Sequence, residues 1–439
     1  MLKLPRPQKV SLESETTLLY QRNPVSPTIA FGVWFSRGSR DEKDSERGLS
    51  HLLEHLVFRG TNKRSALEIA RDLESIGGQW DAFTGKESTS YHGKVLEEHF
   101  EKLVDILADI VLNPSISDTA LELERKVVLE EIRSIKDSPE ESAHELFFET
   151  LFGKHPLGHP VTGYPKDVAR YSRRHLLSFH RRTYVSSNAL LGFVGNIPLK
   201  KVVSILEDRF RFARRGVAKR VDVHETGSGK VRSARRADWL QSHVCIGVKT
   251  AQASSPDRYA IIVLSNILGG GVSSRLFQSL REKTGLAYSI YTQTSFWRDT
   301  GVFWTFFSLD PRNLPLALEI FHEELYKLIE EGVKDEELES AKAQIKGSIV
   351  FGIENVTSRL FRLLHGEFYH QRYISPSEVI GAVEKVDRGN VIEAARKYLE
   401  EGKLTYTTCG PVSLKGLLAG VSHRGVSSVG VAQKTKSRR

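Results

Sequence analysis

One order of elements runs through this 439-residue chain twice, and few folds satisfy both passes. In the first pass, residues 28–37 put Ile29, Phe31, Val33 and Phe35 on one face, the pattern of a strand, closed by Gly38-Ser39. A helix follows and stops at Gly60, and Ser65-Ala-Leu-Glu68 is a capping box that opens the next, which ends at Gly77-Gly78. Residues 79–95 read as two strands around Gly85, and 97–112 as an amphipathic helix ended by Asn113-Pro114. Further helices lead to a buried strand over 189–194, punctuated by Gly195-Asn196-Ile197-Pro198, and one last helix reaches Phe212. The second pass has a strand over 239–250, helices over 257–268 and 273–283, and two strands within 286–309 around Asp299-Thr300-Gly301. Several helices then run to about residue 401, before a strand over 404–409 and Gly410-Pro411. Two α+β domains of similar topology are the expected result, at 1–212 and 237–422.

The length fits two domains better than one core. Apolar content of 40% and charged content of 27% are those of an ordinary globular protein, so the net charge of +9 is the feature that needs a location. Nine Lys/Arg against Asp222 and Glu225 lie between Arg211 and Arg236, and five basic residues with no acid lie between Arg424 and Arg439. The excess therefore belongs to a basic linker (213–236) and a basic, disordered tail (423–439), and no nucleic-acid partner is expected. Cys245 and Cys409 each sit in an apolar run, which fits a reducing compartment better than a disulfide framework. Residues 1–22 have no apolar core of signal-peptide length, and no run of about 18 apolar residues would span a bilayer. A cytoplasmic protein with no membrane partner is the expectation.

The stretch with the most chemistry is Gly48-Leu49-Ser50-His51-Leu52-Leu53-Glu54-His55-Leu56. On a helix His51 and His55 stand one turn apart with Glu54 on the same side, while Leu49, Leu52, Leu53 and Leu56 fall opposite. Two imidazoles at i and i+4 converge as a tetrahedral metal site requires, and the spacing H-x-x-E-H is the inverted (inverzincin) form of the zincin motif. A solvated helix face that happens to hold these residues is the competing reading.

A second helix, over 120–136, bears on that choice. Leu121, Val127, Val128, Ile132 and Ile135 form its apolar stripe, and Glu124 and Glu131 lie inside the stripe. Carboxylates on a core-facing stripe are costly unless compensated. Internal Arg or Lys partners are one compensation; a metal cation shared with the first helix is the other.

These residues resemble the pitrilysin/insulinase family of zinc peptidases, in its short bacterial branch near mitochondrial processing peptidase. The resemblance is carried by Gly38-Ser39-Arg40, by the run from Gly48 to Thr61, and by the run from Glu124 to Ile132. Gly195-Asn196-Ile197 and the run from Leu268 to Leu276 add to it, so that it covers about residues 15–415. It implies a mitochondrial processing peptidase-like fold of two antiparallel-rich sheets covered by helices, with zinc (one per chain) in the first domain. By position it makes His51, His55 and Glu131 the ligands, Glu54 the general base and Glu124 a support behind the ligands. Two His and one carboxylate leave a fourth zinc position for water. The resemblance further implies that Arg281 and Tyr288 contact substrate, and that Asp81, Ala82 and Phe83 belong to an edge strand against which a peptide lies as an added strand. Read alone, Arg281 is a surface ion pair and Tyr288 half-buried packing; Phe83 either lines a pocket or fills the core. Asp81 stands where the family commonly has Asn.

The implied function is zinc-dependent hydrolysis of peptides or unfolded segments, gripped between surfaces of both domains, in a homodimer or a heterodimer with a related chain. A non-catalytic core-type subunit of a larger complex is the alternative. Gly269-Gly270-Gly271 lacks the Lys-Ser/Thr of a phosphate-binding loop, His155 and His159 are too isolated for a second metal, and His243 reads as structural.

Overall fold

The computed structural model describes residues 4–213, 222–223 and 229–414. The described residues divide into two compact units, one built from 4–134, 155–213, 222 and 347–380, the other from 135–154, 223, 229–346 and 381–414.

The first unit holds a six-stranded sheet of β1 (Gln8–Ser11), β2 (Thr17–Arg22), β3 (Thr28–Phe35), β4 (Gln79–Thr84), β5 (Thr89–Leu96) and β6 (Ala189–Gly195), in the order β1-β2-β6-β3-β5-β4. β2 pairs parallel with β6, and every other pair is antiparallel. One face, with Ile29, Phe31, Val33 and Phe35 on β3, is packed by the helices Leu49–Val57 and Phe100–Leu112 into a single core. β4 is an edge strand, bonded to β5 alone.

The second unit repeats the pattern with β7 (Val231–Arg235), β8 (Ser242–Thr250), β9 (Ala287–Phe296), β10 (Gly301–Leu309) and β11 (Thr405–Gly410), ordered β7-β11-β8-β10-β9. β7 pairs parallel with β11 and the rest are antiparallel. Leaving out β1, the two orders correspond strand for strand. The doubled α+β architecture with antiparallel-rich sheets is therefore present.

The units cut across the sequence boundaries at 212 and 237. The helix Pro139–Phe152 packs on the second sheet, with Phe147 and Phe148 against Trp304. The helix Val356–His370 lies on the first, with Leu360 and Leu364 on Gly192 of β6. A Cβ at Gly192 would come within 2.4 Å of Leu360, so only glycine lets that helix approach so closely. The cause is that each sheet has two apolar faces, and the helices of its own sequence half cover one of them.

Part of the expected linker is also structured. Val231–Arg235 forms β7, an edge strand whose Arg residues conceal its alternation and suit an exposed edge. Residues 214–221 and 224–228 of that linker, and the tail 423–439, lie outside the described residues. No helix among the described residues is long and apolar enough to cross a membrane.

Candidate metal centre

The helix Leu49–Val57 buries Leu49, Leu52, Leu53 and Leu56 in the first core, which turns His51, Glu54 and His55 the other way. Its start is fixed by two features. Gly48 adopts a left-handed φ of 85°, and Glu42 accepts hydrogen bonds from the backbone N–H of Gly48 (2.8 Å) and of Ser50 (2.7 Å). Burial pushes the Glu42 carboxyl up to about 8, against the pull of those two donors. The sequence reading missed Glu42; its signal was a helix start at Gly48 with no side chain of its own to cap it.

Glu124 and Glu131 come from the helix Asp118–Asp137. Leu121, Glu124, Val128 and Ile132 are buried, whereas Val127, placed on the apolar stripe by its spacing, is exposed. Glu131 Oε1 lies 3.5 Å from His51 Nε2, and Glu131 Oε2 lies 3.7 Å from His55 Nε2. One ligand atom from each of His51, His55 and Glu131 falls within 4.8 Å of the others, and among the described residues this is the one such group.

Behind this cluster, His55 Nδ1–H donates to Glu124 Oε2 at 2.9 Å, and Arg59 forms an ion pair with the same carboxylate. That bond fixes the tautomer and leaves the Nε2 lone pair facing Glu131. In front, Glu54 Oε2 accepts from Thr84 Oγ1 of β4 at 2.6 Å.

The electrostatics of the cluster suit ligation of a cation. Burial, helped by the neighbouring His55, lowers His51 to about 4, so its ring is neutral near pH 7 and able to act as a ligand. Burial would also lower His55, but the hydrogen bond and charge of Glu124 outweigh it and the ring is raised. Burial would raise Glu124, but the bond from His55 and the charge of Arg59 hold it below the ordinary carboxylate range. Glu54 and Glu131 are both raised, chiefly by burial, with the Thr84 bond and His55 pulling Glu54 back down and His55 doing so for Glu131.

These residues fit zinc. A tetrahedral ion with bonds of about 2.0–2.1 Å separates its ligand atoms by roughly 3.3–3.4 Å. The 3.5 and 3.7 Å contacts are close to that edge and too long for good hydrogen bonds. Two nitrogens and one carboxylate also leave a position open, as in a hydrolytic site.

The remaining predicted residues fall in two places. Trp80, Ala82 and Thr84 alternate with Asp81 and Phe83 along β4. Trp80 meets Phe58 and Ala82 packs on the first core, whereas Phe83 meets Trp34, His92 and Phe361 on the other face. Asp81 is exposed, and its Oδ1 accepts from the N–H of Ala82 at 2.9 Å. Arg281 and Tyr288 stand together in the second unit. The Arg281 guanidinium lies 5.4 Å from the centre of the Tyr288 ring, which is 76% exposed. His155 accepts from the N–H of Leu157, His159 contacts the Tyr164 hydroxyl and His243 packs between Trp239 and Phe306, all local structural roles.

Fold and site together define a duplicated α+β protein with a two-histidine, one-carboxylate site in one copy. Comparison with known proteins gives that class its family. Residues 17–164 match the model of the insulinase family (peptidase family M16), and residues 170–345 match the model called the peptidase M16 inactive domain. An uncharacterized zinc protease of Mycobacterium leprae is 33% identical over 414 residues, 93% of each chain, and one of Bacillus subtilis is 32% identical over 394 residues, 90% of this chain and 96% of that one. Among solved structures, a protease from Helicobacter pylori superposes with a TM-score of 0.87 at 22% identity, covering 92% of this chain and all (100%) of that one. A chain of complex III from Candida albicans does so with a TM-score of 0.80 at 16% identity, covering 92% and 96%. The chain belongs to the insulinase family, peptidase family M16.

Proposed function

We propose that this chain is a zinc-dependent peptidase that hydrolyses peptide bonds in peptides or unfolded segments. The observation that carries the reading is the convergence of His51, His55 and Glu131 on one point, with Glu54 held beside it. The relatives named zinc protease support the metal and the reaction class. When bound, zinc supplies Lewis acidity that makes water a better acid and polarises a carbonyl.

The chain's own residues do the rest. Glu54, half-buried and anchored on one oxygen, takes a proton from the attacking water and returns it to the leaving amine. The Arg59–Glu124–His55 chain keeps the His55 ring turned. Asp81, Ala82 and Phe83 lie on the open edge strand β4, where a peptide adds as a further strand and is read through its backbone. The exposed Tyr288, with Arg281 against its ring, offers a phenol and a guanidinium to a substrate carbonyl. Because one chain carries both sets, the working form is a homodimer.

The alternative of a non-catalytic subunit finds a fold likeness in the complex III chain. It gives no reason for His51, His55 and Glu131 to bring ligand-type atoms within 4.8 Å of one another. The test is metal content together with cleavage of a mixed peptide library by purified protein, with Glu54→Gln as control. Zinc bound in both proteins with cleavage by the wild type alone is expected; full cleavage by Glu54→Gln contradicts the mechanism.

A further inference from the structure

Thr84 is the point where the edge strand meets the general base. Its side chain, on the face of β4 turned toward the motif helix, donates from Oγ1 to Glu54 Oε2 at 2.6 Å. One carboxylate oxygen is thereby fixed, and Oε1 is left as the basic oxygen.

The backbone of the same residue points elsewhere. The β4–β5 hairpin closes with the N–H of Gly85 donating to the carbonyl of Ser88 at 2.7 Å. In an antiparallel ladder bonded and non-bonded pairs alternate. The next pair, Thr84 with Thr89, is therefore non-bonded, as are Ala82 with Tyr91 and Trp80 with Gly93. Those residues of β4 turn their backbone N–H and C=O to the open edge. The N–H of Ala82 is held there by the carboxylate of Asp81, a local stand-in for a strand partner.

We infer that Thr84 is a positioning residue that couples docking of a substrate strand to alignment of Glu54. A peptide pairing with the edge displaces Asp81 from Ala82, holds the backbone of Thr84, and with it the hydroxyl that sets the rotamer of the base. Docking and base alignment become one event, so that a peptide unable to extend along β4 meets a poorly aligned Glu54. The inference rests on the peptidase reading proposed above.

The test compares Thr84→Val and Thr84→Ser with wild type. Valine keeps the β-branched shape and removes the donor; serine restores the donor. Expected for Thr84→Val are unchanged zinc content, unchanged peptide affinity of the zinc-free protein, KM within about twofold of wild type, and kcat lower by roughly ten- to a hundredfold, the scale of a misaligned reacting group. Thr84→Ser is expected to recover most of kcat. A wild-type kcat in Thr84→Val overturns the inference alone, and so does a loss in Thr84→Ser equal to that in Thr84→Val. A wild type that binds no zinc and cuts no peptide overturns the peptidase reading and this inference with it.

Discussion

The two units place a helix at the same point of the same sheet and fill it with different chemistry. In the first, the helix after β3 presents His51, Glu54 and His55, and its contact with the edge strand is a hydroxyl on a carboxylate, Thr84 to Glu54. In the second, the helix Asp257–Gly269 after β8 buries Ala260, Ile261, Val263, Leu264, Ile267 and Leu268. Its contact with edge strand β9 is neutral, Ser265 Oγ to Thr292 Oγ1 at 3.1 Å. Gly269 presses so close to Thr292 that no Cβ fits between them. The fold, then, has no need of an ionisable trio at this position. The second helix is what the architecture uses when packing alone decides; the first buries His51 and half-buries Glu54 and His55, ionisable groups that packing alone does not call for.

The largest expected effect that sharpens this contrast is at Glu54. Glu54→Gln should retain zinc and lose about 10²- to 10⁴-fold in kcat, the usual worth of a positioned general base. Steady-state cleavage of a fluorogenic peptide beside elemental analysis measures both. In the second unit the matching disturbance should be one of stability. Leu264→Ala removes a fully buried side chain and should cost about 2–5 kcal/mol in chemical denaturation. The zinc content of the folded fraction should not change. If Leu264→Ala also released zinc, the division of labour between the units would be wrong.

A smaller effect is expected behind the ligands. Glu124→Gln removes the charge that orients His55 and should weaken zinc binding by roughly 10- to 100-fold in a chelator competition. The smallest is a pH effect in zinc-free protein. The folded-state value of His51, about 4, is below its ordinary 6.5, so the unfolded chain binds this proton more readily in between. The contribution of His51 is complete above pH 6.5 and is lost as the pH falls toward 4. Subtracting the pH–Tm curve of His51→Asn isolates it from His55, whose shift has the opposite sign. A wild-type curve parallel to the variant's would rule it out.

Much of the site was legible because it rests on short-range periodicity. His51, Glu54 and His55 share a face by spacing alone, and Glu124 and Glu131 stand out because a carboxylate on an apolar stripe needs a reason. Val127 shows the limit of that reading: a wheel gives a direction but not what lies there, and among the described residues this side chain is left exposed. Glu42 and Thr84 were illegible for a different reason. Their bonds join segments 8 and 30 residues apart through loop and sheet geometry that no local pattern encodes. The same holds for the helices Pro139–Phe152 and Val356–His370. Each falls among the helices expected from the sequence, yet only the second apolar face of a sheet determines which unit it completes. β7 escaped because its arginines read as linker charge.

The most direct measurement of the central claim is zinc per chain, by mass spectrometry or atomic absorption, in wild type, His55→Ala, Glu131→Gln and Ser265→Ala. One zinc in wild type and in Ser265→Ala, and none in the two first-unit variants, is the predicted result. Stoichiometric zinc in Glu131→Gln and His55→Ala alike would contradict it, because the ion would then be held by other residues.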